Sequence, residues 1–405
     1  MSMGKFKKYL SVVAVLAAVA LVVTGCGAST TTTGGGTTGG TAPVSITIGI
    51  GAPITQGATA LGLGMERGAK LAIADMNKSP EAKAAGITFT STTGDDQGDP
   101  KTGVNVANQF ASNPNLVGVM GHLNSGVSIP SSAVYSRANI VMVSPASTNP
   151  ALTLQGLKNV FRVCTIDSVQ GPAAADRATG DLGKKAVFIV DDSTPYGTGL
   201  ADEFGKEFTA KGGKVLGREK TGDKDTDFKA LVTKIKGTNP DLVYYGGVYN
   251  AGALLSKQLK DGGVKVPMMG GDGLYDGQYI KLAGAANAEG DFATSVGLPL
   301  AQLPAGEKFT TEFKAAYPND EIAAYDAYSY DAATVIMKGV LVAAGKVTAA
   351  KVTSPEGRAA IIAAVAATNY TGITGAIAFD SKGDTTNKAI TLYVVKGGVW
   401  IPYVK

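Results

Sequence analysis

Strand and helix patterns alternate along almost the whole chain, and this alternation limits the fold more than any other feature. Two short runs rich in β-branched residues, Ser45–Ile50 and Ile87–Thr92, flank a stripe of apolar residues at helical spacing. The stripe consists of Leu61, Met65, Ala69, Ala72 and Met76. Asp99 and Pro100 then have the residue types of a helix N-cap and a first helical position. The pattern predicts parallel strands that are connected by helices.

The same alternation starts again in the second half of the chain. Strands are predicted at Lys185–Val190, Val215–Glu219, Leu242–Tyr245 and Val266–Met269, with helical stretches between them. Two such series predict an α/β chain of two lobes, each built on a doubly wound parallel sheet. The last part of the chain holds three further predicted helices and two closing strands, at Ala305–Tyr317, Ala323–Val342, Pro355–Ala367, Ala376–Phe379 and Ala389–Val395.

The N-terminal segment has the pattern of a bacterial lipoprotein signal peptide. Basic residues precede an apolar run, Leu10–Val23, that is too short for a confident membrane span. The run ends in Val-Thr-Gly followed by Cys26, which resembles a lipobox whose cysteine takes a lipid group. We therefore expect a signal peptide over residues 1–25 and lipidation at Cys26, with a plain secretory peptide as the alternative. Residues 26–43, rich in Gly and Thr, are predicted to form a flexible tether to the cell membrane.

Composition and missing motifs exclude several function classes. Apolar residues make up 44% of the 405 residues and the net charge is +4, with no basic cluster after the N-terminus that would bind nucleic acid. One His and two Cys leave no multi-His or multi-Cys metal site. The glycines of Gly62–Gly68 are spaced one residue too widely for a dinucleotide fingerprint, and a hydrolytic triad would have to use His122. We expect no cofactor, no metal and no enzymatic activity.

Polar residues follow several predicted strands at their carboxyl ends. Ser125 follows one strand of the first series, and Ala146, Ser147 and Thr148 follow the next. In the second series, Tyr196 and Asp272 stand at corresponding points. Ligands of open α/β sheets bind beyond these ends, where hydroxyls and helix N-termini hold a carboxylate and an acid can pair with an ammonium. The pattern indicates a binding site for a zwitterion between the lobes.

Several stretches carry a resemblance to a known family. They are Gly121-His-Leu-Asn-Ser125, Ser144-Pro-Ala-Ser-Thr148, Gln170-Gly-Pro, Tyr196-Gly-x-Gly-Leu200, Tyr244-Tyr-Gly-Gly247, Gly270-Gly-Asp-Gly273 and Tyr330-Asp-Ala332. In order and spacing, the chain resembles the solute-binding proteins for branched-chain amino acids that serve ABC importers. The resemblance implies a type I periplasmic binding protein fold, with two Rossmann-like lobes joined by three hinge crossovers. The lobes would comprise residues 44–166 with 296–376, and residues 167–295 with 377–405.

The resemblance also implies roles for individual residues. Ser125, Ala146 and Thr148 would hold the α-carboxylate and α-ammonium of an amino acid from the N-terminal lobe. Asp272 would bind the ammonium from the other lobe, and Tyr196 would cover the ligand. The remaining expected ligand-binding residues are Leu123, Asn124, Ser147, Tyr325, Leu61 and Val248. The last two stand where leucine binders have tyrosines, so the side-chain pocket differs from theirs.

These observations favour a monomeric, extracytoplasmic, lipid-anchored protein that captures an amino acid with a branched-chain or other apolar side chain. It would deliver this ligand to the permease of an ABC transporter. The alternative is a binder of the same fold for an amide, a urea, a small carboxylate or an aromatic acid, for uptake or sensing. An enzyme on this fold is disfavoured because the sequence lacks a catalytic constellation.

Overall fold

A computed structural model describes residues 43–405, in which the strands form two large sheets and one hairpin. The first sheet has five parallel strands in the order β2-β1-β3-β4-β5. Its strands are β1 (Val44–Ala52), β2 (Ile87–Asp95), β3 (Leu116–Gly121), β4 (Val141–Ser144) and β5 (Val160–Arg162). β3 and β4 are buried along their whole length, as expected of central strands covered on both faces.

The helices of this half have recognisable start signals. They are α1 (Thr59–Lys78), α2 (Pro80–Ala85), α3 (Pro100–Ser112), α4 (Ser125–Arg137) and α5 (Ala151–Leu154). The predicted N-cap of α3 is confirmed, because the side chain of Asp99 accepts a hydrogen bond from the backbone N–H of Thr102 at 2.8 Å. The predicted stripe from Leu61 to Met76 is also confirmed as the buried face of α1.

The second sheet has seven strands in the order β14-β13-β10-β9-β8-β6-β7. Its parallel strands are β6 (Ala186–Asp191), β7 (Lys214–Lys220), β8 (Leu242–Gly246), β9 (Met268–Gly270) and β10 (Phe292–Val296). The hairpin consists of β11 (Asn369–Gly372) and β12 (Gly375–Ala378). Two antiparallel strands, β13 (Ile390–Lys396) and β14 (Val399–Pro402), complete the second sheet. The predicted strand at Ala376–Phe379 thus pairs in the hairpin rather than in a large sheet.

The remaining helices belong to both halves of the molecule. Those that follow the first sheet in the chain are α6 (Asp167–Asp176), α7 (Pro195–Ala210), α8 (Lys229–Thr238), α9 (Tyr249–Asp261), α10 (Gly277–Ala283) and α11 (Ala285–Ala288). The last three are α12 (Gly306–Ala316), α13 (Asp326–Val347) and α14 (Pro355–Ala366). α13 returns to the first half, where it packs against α1, β3 and β4. A Cβ atom on Gly68 would collide with the backbone of Asp326, so this contact between α1 and α13 requires a glycine.

Candidate functional site

A small cavity lies where strands of both large sheets end. The cavity is lined by Leu61, Leu123, Asn124, Ser125, Ala146, Tyr196, Val248, Asp272, Gly273 and Tyr325. All of these except Gly273 are residues that the sequence predicted for a ligand site. The loops after β3, β4, β8 and β9 therefore converge as expected for an α/β fold.

Ser125 stands at the start of α4 and forms part of the first-sheet wall of the cavity. Its side chain is buried, and its hydroxyl accepts a hydrogen bond from the backbone N–H of Asn149 at 3.2 Å. The free N–H groups of the first helical turn and the positive end of the helix dipole favour a negatively charged ligand group. This wall is therefore suited to a carboxylate.

Two of the predicted residues, Ser147 and Thr148, are buried beside the cavity but do not line it. The hydroxyl of Ser147 donates to the backbone carbonyl of Leu123 at 2.9 Å, so it joins the loops after β3 and β4. The hydroxyl of Thr148 lies beside the buried carboxyl group of Asp167 and acts to lower its pKa, against the larger rise that burial causes. Ser147 thus has a bonding role in the scaffold that the sequence did not reveal.

His122 lies directly behind the loop that carries Ser125 and is completely buried. Its Nδ1 lies 2.6 Å from a carboxylate oxygen of Asp96, and its Nε2 lies 2.9 Å from the hydroxyl of Tyr135. The carbonyl of His122 accepts a hydrogen bond from the hydroxyl of Ser144 at 2.9 Å. Because both ring nitrogens are occupied within the core, His122 anchors the β3–α4 loop and does not face the cavity.

Among the described residues that line the cavity, Asp272 is the one that carries a carboxylate. It is 1% exposed and accepts hydrogen bonds from Gln170 Nε2 and the Tyr196 hydroxyl, both at 2.8 Å, and from the Tyr325 hydroxyl. Burial raises the pKa of Asp272, and these three hydrogen bonds oppose that rise. Within residues 43–405, no Lys, Arg or His forms an ion pair with it. A bound cationic group would supply the missing positive charge.

The cavity also has an apolar part, formed by side chains from three different loops and helices. Leu61 belongs to α1, Leu123 to the loop after β3, and Val248 to the loop between β8 and α9. Leu61 and Leu123 are buried, and Val248 is partly buried. These aliphatic groups offer no hydrogen bond to a ligand, so the part of the ligand that contacts them must be apolar.

The sequence did not predict two residues that shape this site. Gln170, on α6, donates to the Asp272 carboxylate and accepts from the Asp272 backbone N–H at 3.0 Å. Gly273 lines the cavity, and a Cβ there would lie 2.7 Å from the carbonyl oxygen of Gly247. The sequence did contain a signal for Gln170, because this residue occurs in one of the stretches that carry the family resemblance.

Direct hydrogen bonds join the two halves of the molecule around the cavity. Asn149 Nδ2 donates to the carbonyl oxygen of Pro195 at 2.6 Å. Asn250 Nδ2 donates to the carbonyl oxygen of Gly57 at 3.0 Å. These bonds connect the loop after β4 to the start of α7, and α9 to the loop before α1. The structure is therefore a closed form in which the cavity walls are nearly all buried.

Two α/β halves with a buried cavity between their strand ends define a two-lobed solute-binding protein. The family model of periplasmic binding proteins matches residues 45–399, and the chain belongs to this family. Membership places the protein outside the cytoplasm and among binding proteins rather than enzymes. Within residues 43–405, no helix is long and apolar enough to cross a membrane.

Individual proteins that are similar to this chain support the same family assignment. The chain is 37% identical over 294 residues to Leu/Ile/Val-binding protein homolog 1 of Brucella melitensis, covering 73% of this chain and 77% of that protein. It is 33% identical over 365 residues to Leu/Ile/Val-binding protein homolog 2 of Brucella abortus, covering 89% and 93%. The crystal structure of the leucine-binding protein LivK from Thermotoga maritima matches with a TM-score of 0.79 at 28% identity, covering 89% of this chain and 98% of that one. The predicted type I periplasmic binding protein fold is confirmed.

Proposed function

We propose that this protein captures an amino acid with a branched-chain or other apolar side chain and delivers it to the permease of an ABC transporter. The observation that carries this proposal is the buried Asp272 carboxylate, which has only uncharged donors around it. The N-terminus of α4 with Ser125 lines the same cavity from the other half. A zwitterionic ligand supplies an ammonium for the first and a carboxylate for the second.

The apolar part of the cavity supports the choice of side chain. Leu61, Leu123 and Val248 offer no polar partner to the part of a ligand that contacts them. The names of the relatives at 33–37% identity, which are Leu/Ile/Val-binding protein homologues, support the same class of ligand.

One observation favours a second candidate, a ligand without an ammonium group such as an amide, a urea, a small carboxylate or an aromatic acid. Asp272 already accepts three hydrogen bonds from Gln170, Tyr196 and Tyr325, so an uncharged ligand would not leave the carboxylate without partners. A solute-binding protein from R. palustris in complex with benzoate has the same fold, with a TM-score of 0.77 at 20% identity.

Calorimetric titration with three matched compounds distinguishes the two candidates. L-leucine carries both charged groups, 4-methylpentanoic acid lacks the ammonium, and 3-methylbutylamine lacks the carboxylate. An amino-acid site should bind L-leucine at least about 100-fold more tightly than either analogue, because loss of one partner of a buried charged pair costs about 3–5 kcal/mol. Equal affinity for 4-methylpentanoic acid and L-leucine would decide for the second candidate.

We also propose how the chain is divided and attached. One lobe comprises residues 44–166 with 296–376, the other comprises residues 167–295 with 377–405, and three crossovers join them in a monomer. The presence of two separate large sheets supports the division into two lobes. Cys26, the predicted lipidation site, lies outside the described residues. Of the predicted tether over residues 26–43, only the last residue is described. A lipid on Cys26 would hold the binding lobes close to the membrane that contains the permease.

A further inference from the structure

The first turn of α1 obtains a hydrogen-bond acceptor from the other half of the molecule. Ala58, at the N-cap position, has no side-chain oxygen that could accept from the helix. The backbone N–H of Ala60 donates instead to the hydroxyl of Tyr249, at 3.1 Å. Ala60 is the second residue of α1, and its N–H is one of those that an N-cap side chain normally bonds. Tyr249 therefore takes the place of the missing cap.

Several other helices of the described chain carry their caps next to them. In five of them a side chain directly before the helix accepts a hydrogen bond from the first turn, and these residues are Ser79, Asp99, Thr194, Asp276 and Ser354. Such a cap stays in place however the two halves are arranged. Tyr249 is 189 residues away from Ala60 and begins α9, which connects two strands of the second sheet. Its bond to Ala60 therefore requires the two halves to be closed.

A second hydrogen bond from α9 reaches the same turn of the chain. The carbonyl oxygen of Gly57 accepts from the backbone N–H of Thr59 at 2.9 Å and from Asn250 Nδ2 at 3.0 Å. Two successive residues of α9, Tyr249 and Asn250, thus bond to the start of α1. Of these two bonds, only the one from Ala60 to Tyr249 satisfies an N–H group of the helix itself.

The bond between Ala60 and Tyr249 lies directly beside the apolar part of the cavity. Leu61 follows Ala60 in the chain, Val248 precedes Tyr249, and both Leu61 and Val248 line the cavity. A ligand side chain in this part of the cavity lies against residues from both halves. The contact that completes the first turn of α1 is therefore made one residue away from each of these two walls.

We propose that Tyr249 is a positioning residue that acts on the ligand through Leu61. Its hydroxyl caps α1 only in the closed form, and the completed cap holds Leu61 against the ligand. This inference rests on the proposed function, because the position of Leu61 matters only to a ligand with an apolar side chain. When the halves separate, the N–H of Ala60 loses this acceptor and has to bond to water. The bond thus stabilises the closed form and slows the release of the ligand.

A purely structural role for Tyr249 predicts a different result. Its ring is 2% exposed and belongs to the hydrophobic core, so loss of the ring would lower the stability of the ligand-free protein. Tyr249→Phe keeps the ring and removes only the hydroxyl. A change in ligand release without a change in ligand-free stability therefore separates the cap from the packing.

The test measures the dissociation rate of L-leucine by stopped flow and the melting temperature of the ligand-free protein. We expect Tyr249→Phe to release L-leucine about three- to tenfold faster, or about 0.7–1.4 kcal/mol, with an unchanged association rate and an unchanged melting temperature. The control is Tyr279→Phe, which removes a buried hydroxyl that donates to Asp291 at 2.7 Å within the second half. This control should melt at a lower temperature and release L-leucine at the wild-type rate.

A cap supplied by α1 itself tests the mechanism. Ala58→Ser places a hydroxyl at the N-cap position, where it can accept from the first turn whether or not the halves are closed. The hydroxyl of Tyr249 is then redundant as a cap, so adding Tyr249→Phe should change the dissociation rate by less than about twofold. Equal acceleration in the Ala58→Ser and wild-type backgrounds would overturn the capping mechanism.

Failure of this inference is distinguishable from failure of the proposed function. If wild type binds L-leucine but Tyr249→Phe releases it at the wild-type rate, the inference is wrong and the proposed function is unaffected. If wild type binds none of L-leucine, L-isoleucine and L-valine, the proposed function fails and this inference fails with it. The comparison of Tyr249→Phe with Tyr279→Phe decides the inference even if Ala58→Ser does not fold.

Discussion

Arg162 and Asp384 form a buried ion pair, with Arg162 Nε donating to a carboxylate oxygen of Asp384 at 2.6 Å. Arg162 lies on β5 of the first sheet, and Asp384 lies in the segment between β12 and β13 that leads into the second sheet. The same guanidinium donates to the carbonyl oxygens of Ser147 and Asn149 at 2.7 and 2.9 Å. The pair therefore connects a crossover between the sheets to the loop that follows the cavity residue Ala146.

This connection predicts that Asp384→Asn weakens ligand binding as well as folding. Loss of one partner of a buried ion pair costs about 3–5 kcal/mol of stability, and the freed guanidinium holds the loop less firmly. We expect the affinity for L-leucine to fall about tenfold at a temperature where the variant is fully folded, measured by calorimetry.

The matched control is Asp331→Asn. Asp331 is also buried and accepts hydrogen bonds from the backbone N–H groups of Ile373 and Thr374 at 3.0 and 2.8 Å, next to the hairpin of β11 and β12. It contacts no cavity residue through these bonds, so its replacement should lower stability and leave affinity within about twofold of wild type. Equal losses of affinity in both variants would show that general destabilisation explains the effect.

The sequence predicted most of the elements because their signals are local. The 3.6-residue period from Leu61 to Met76 and the Asp99 cap depend on neighbouring residues, and both were confirmed. β5 escaped prediction because it has only three residues, Val160–Arg162. The predicted helix start at Ala323 is displaced to Asp326, whose carboxylate accepts a hydrogen bond from the Ala323 backbone N–H at 2.8 Å.

Residues of the candidate site were predictable where they follow strand ends, and unpredictable where a long-range contact decides their role. The loops after β3, β4 and β9 bring Ser125, Ala146 and Asp272 to one cavity, as the strand-end rule requires. By contrast, Gln170 and Asp272 are 102 residues apart, and Arg162 and Asp384 are 222 apart. Such pairs have no periodic or local signature in a single sequence.

The buried Asp326 predicts a dependence of stability on pH. Burial raises the pKa of Asp326 from 3.8 to about 7, although the positive charge of Arg67 opposes the rise. Because the pKa of Asp326 is higher in the folded protein than in the unfolded chain, the folded protein binds this proton more tightly. The stability that results is fully present below pH 3.8 and is lost as the pH rises through about 7. The ligand-free protein should therefore melt at a higher temperature at pH 5 than at pH 8.

Asp326→Asn should reduce this slope. The shift corresponds to roughly 4 kcal/mol, at about 1.4 kcal/mol for each pKa unit, and Asn keeps the oxygen that accepts from Ala323. Melting curves of wild type and variant between pH 4 and pH 8 measure the difference. Parallel curves for the two proteins would mean that Asp326 does not carry the effect.

The predicted lipid anchor gives a simple localisation experiment. Cys26→Ser removes the thiol that would carry the lipid, so the mature protein should move from the membrane fraction to the soluble fraction. Cys164→Ser is the control, because Cys164 is buried within the folded part and its replacement should leave the protein in the membrane fraction. A Cys26→Ser protein that still sediments with membranes after signal cleavage would contradict lipidation.

The hydrogen bonds between the two halves predict that closure controls ligand release. Asn250→Ala removes the bond to the Gly57 carbonyl without changing a cavity residue. We expect ligand to dissociate about three- to tenfold faster in stopped-flow experiments, because one such bond contributes about 0.5–1.5 kcal/mol to the closed form.

Small-angle scattering of wild type should show a smaller radius of gyration with L-leucine, and an unchanged radius at saturation would count against hinge closure.

Asp272 provides the most direct test of the amino-acid site. Asp272→Asn keeps the size of the side chain but removes its charge and one of its acceptor oxygens. Affinity for L-leucine should fall by about 100-fold or more, because the ligand ammonium loses a buried anionic partner. Stability of the ligand-free protein should fall by about 1–2 kcal/mol, since a carboxylate that accepts from Gln170, Tyr196 and Tyr325 is replaced by a group with fewer acceptors.

Asp272→Asn is expected to lower both the affinity for L-leucine and the stability, so a control variant must separate these two effects. Asp276 belongs to the same loop, caps α10 by accepting from the Gln278 backbone N–H at 2.7 Å, and does not line the cavity. Asp276→Ala should cost about 1 kcal/mol of stability through loss of the cap and should leave the affinity for L-leucine unchanged. Calorimetric titration and ligand-free melting of both variants give the comparison. If Asp272→Asn binds L-leucine within about threefold of wild type while its stability falls as in the control, Asp272 only holds the Gly-rich loop together, and the ammonium is bound elsewhere.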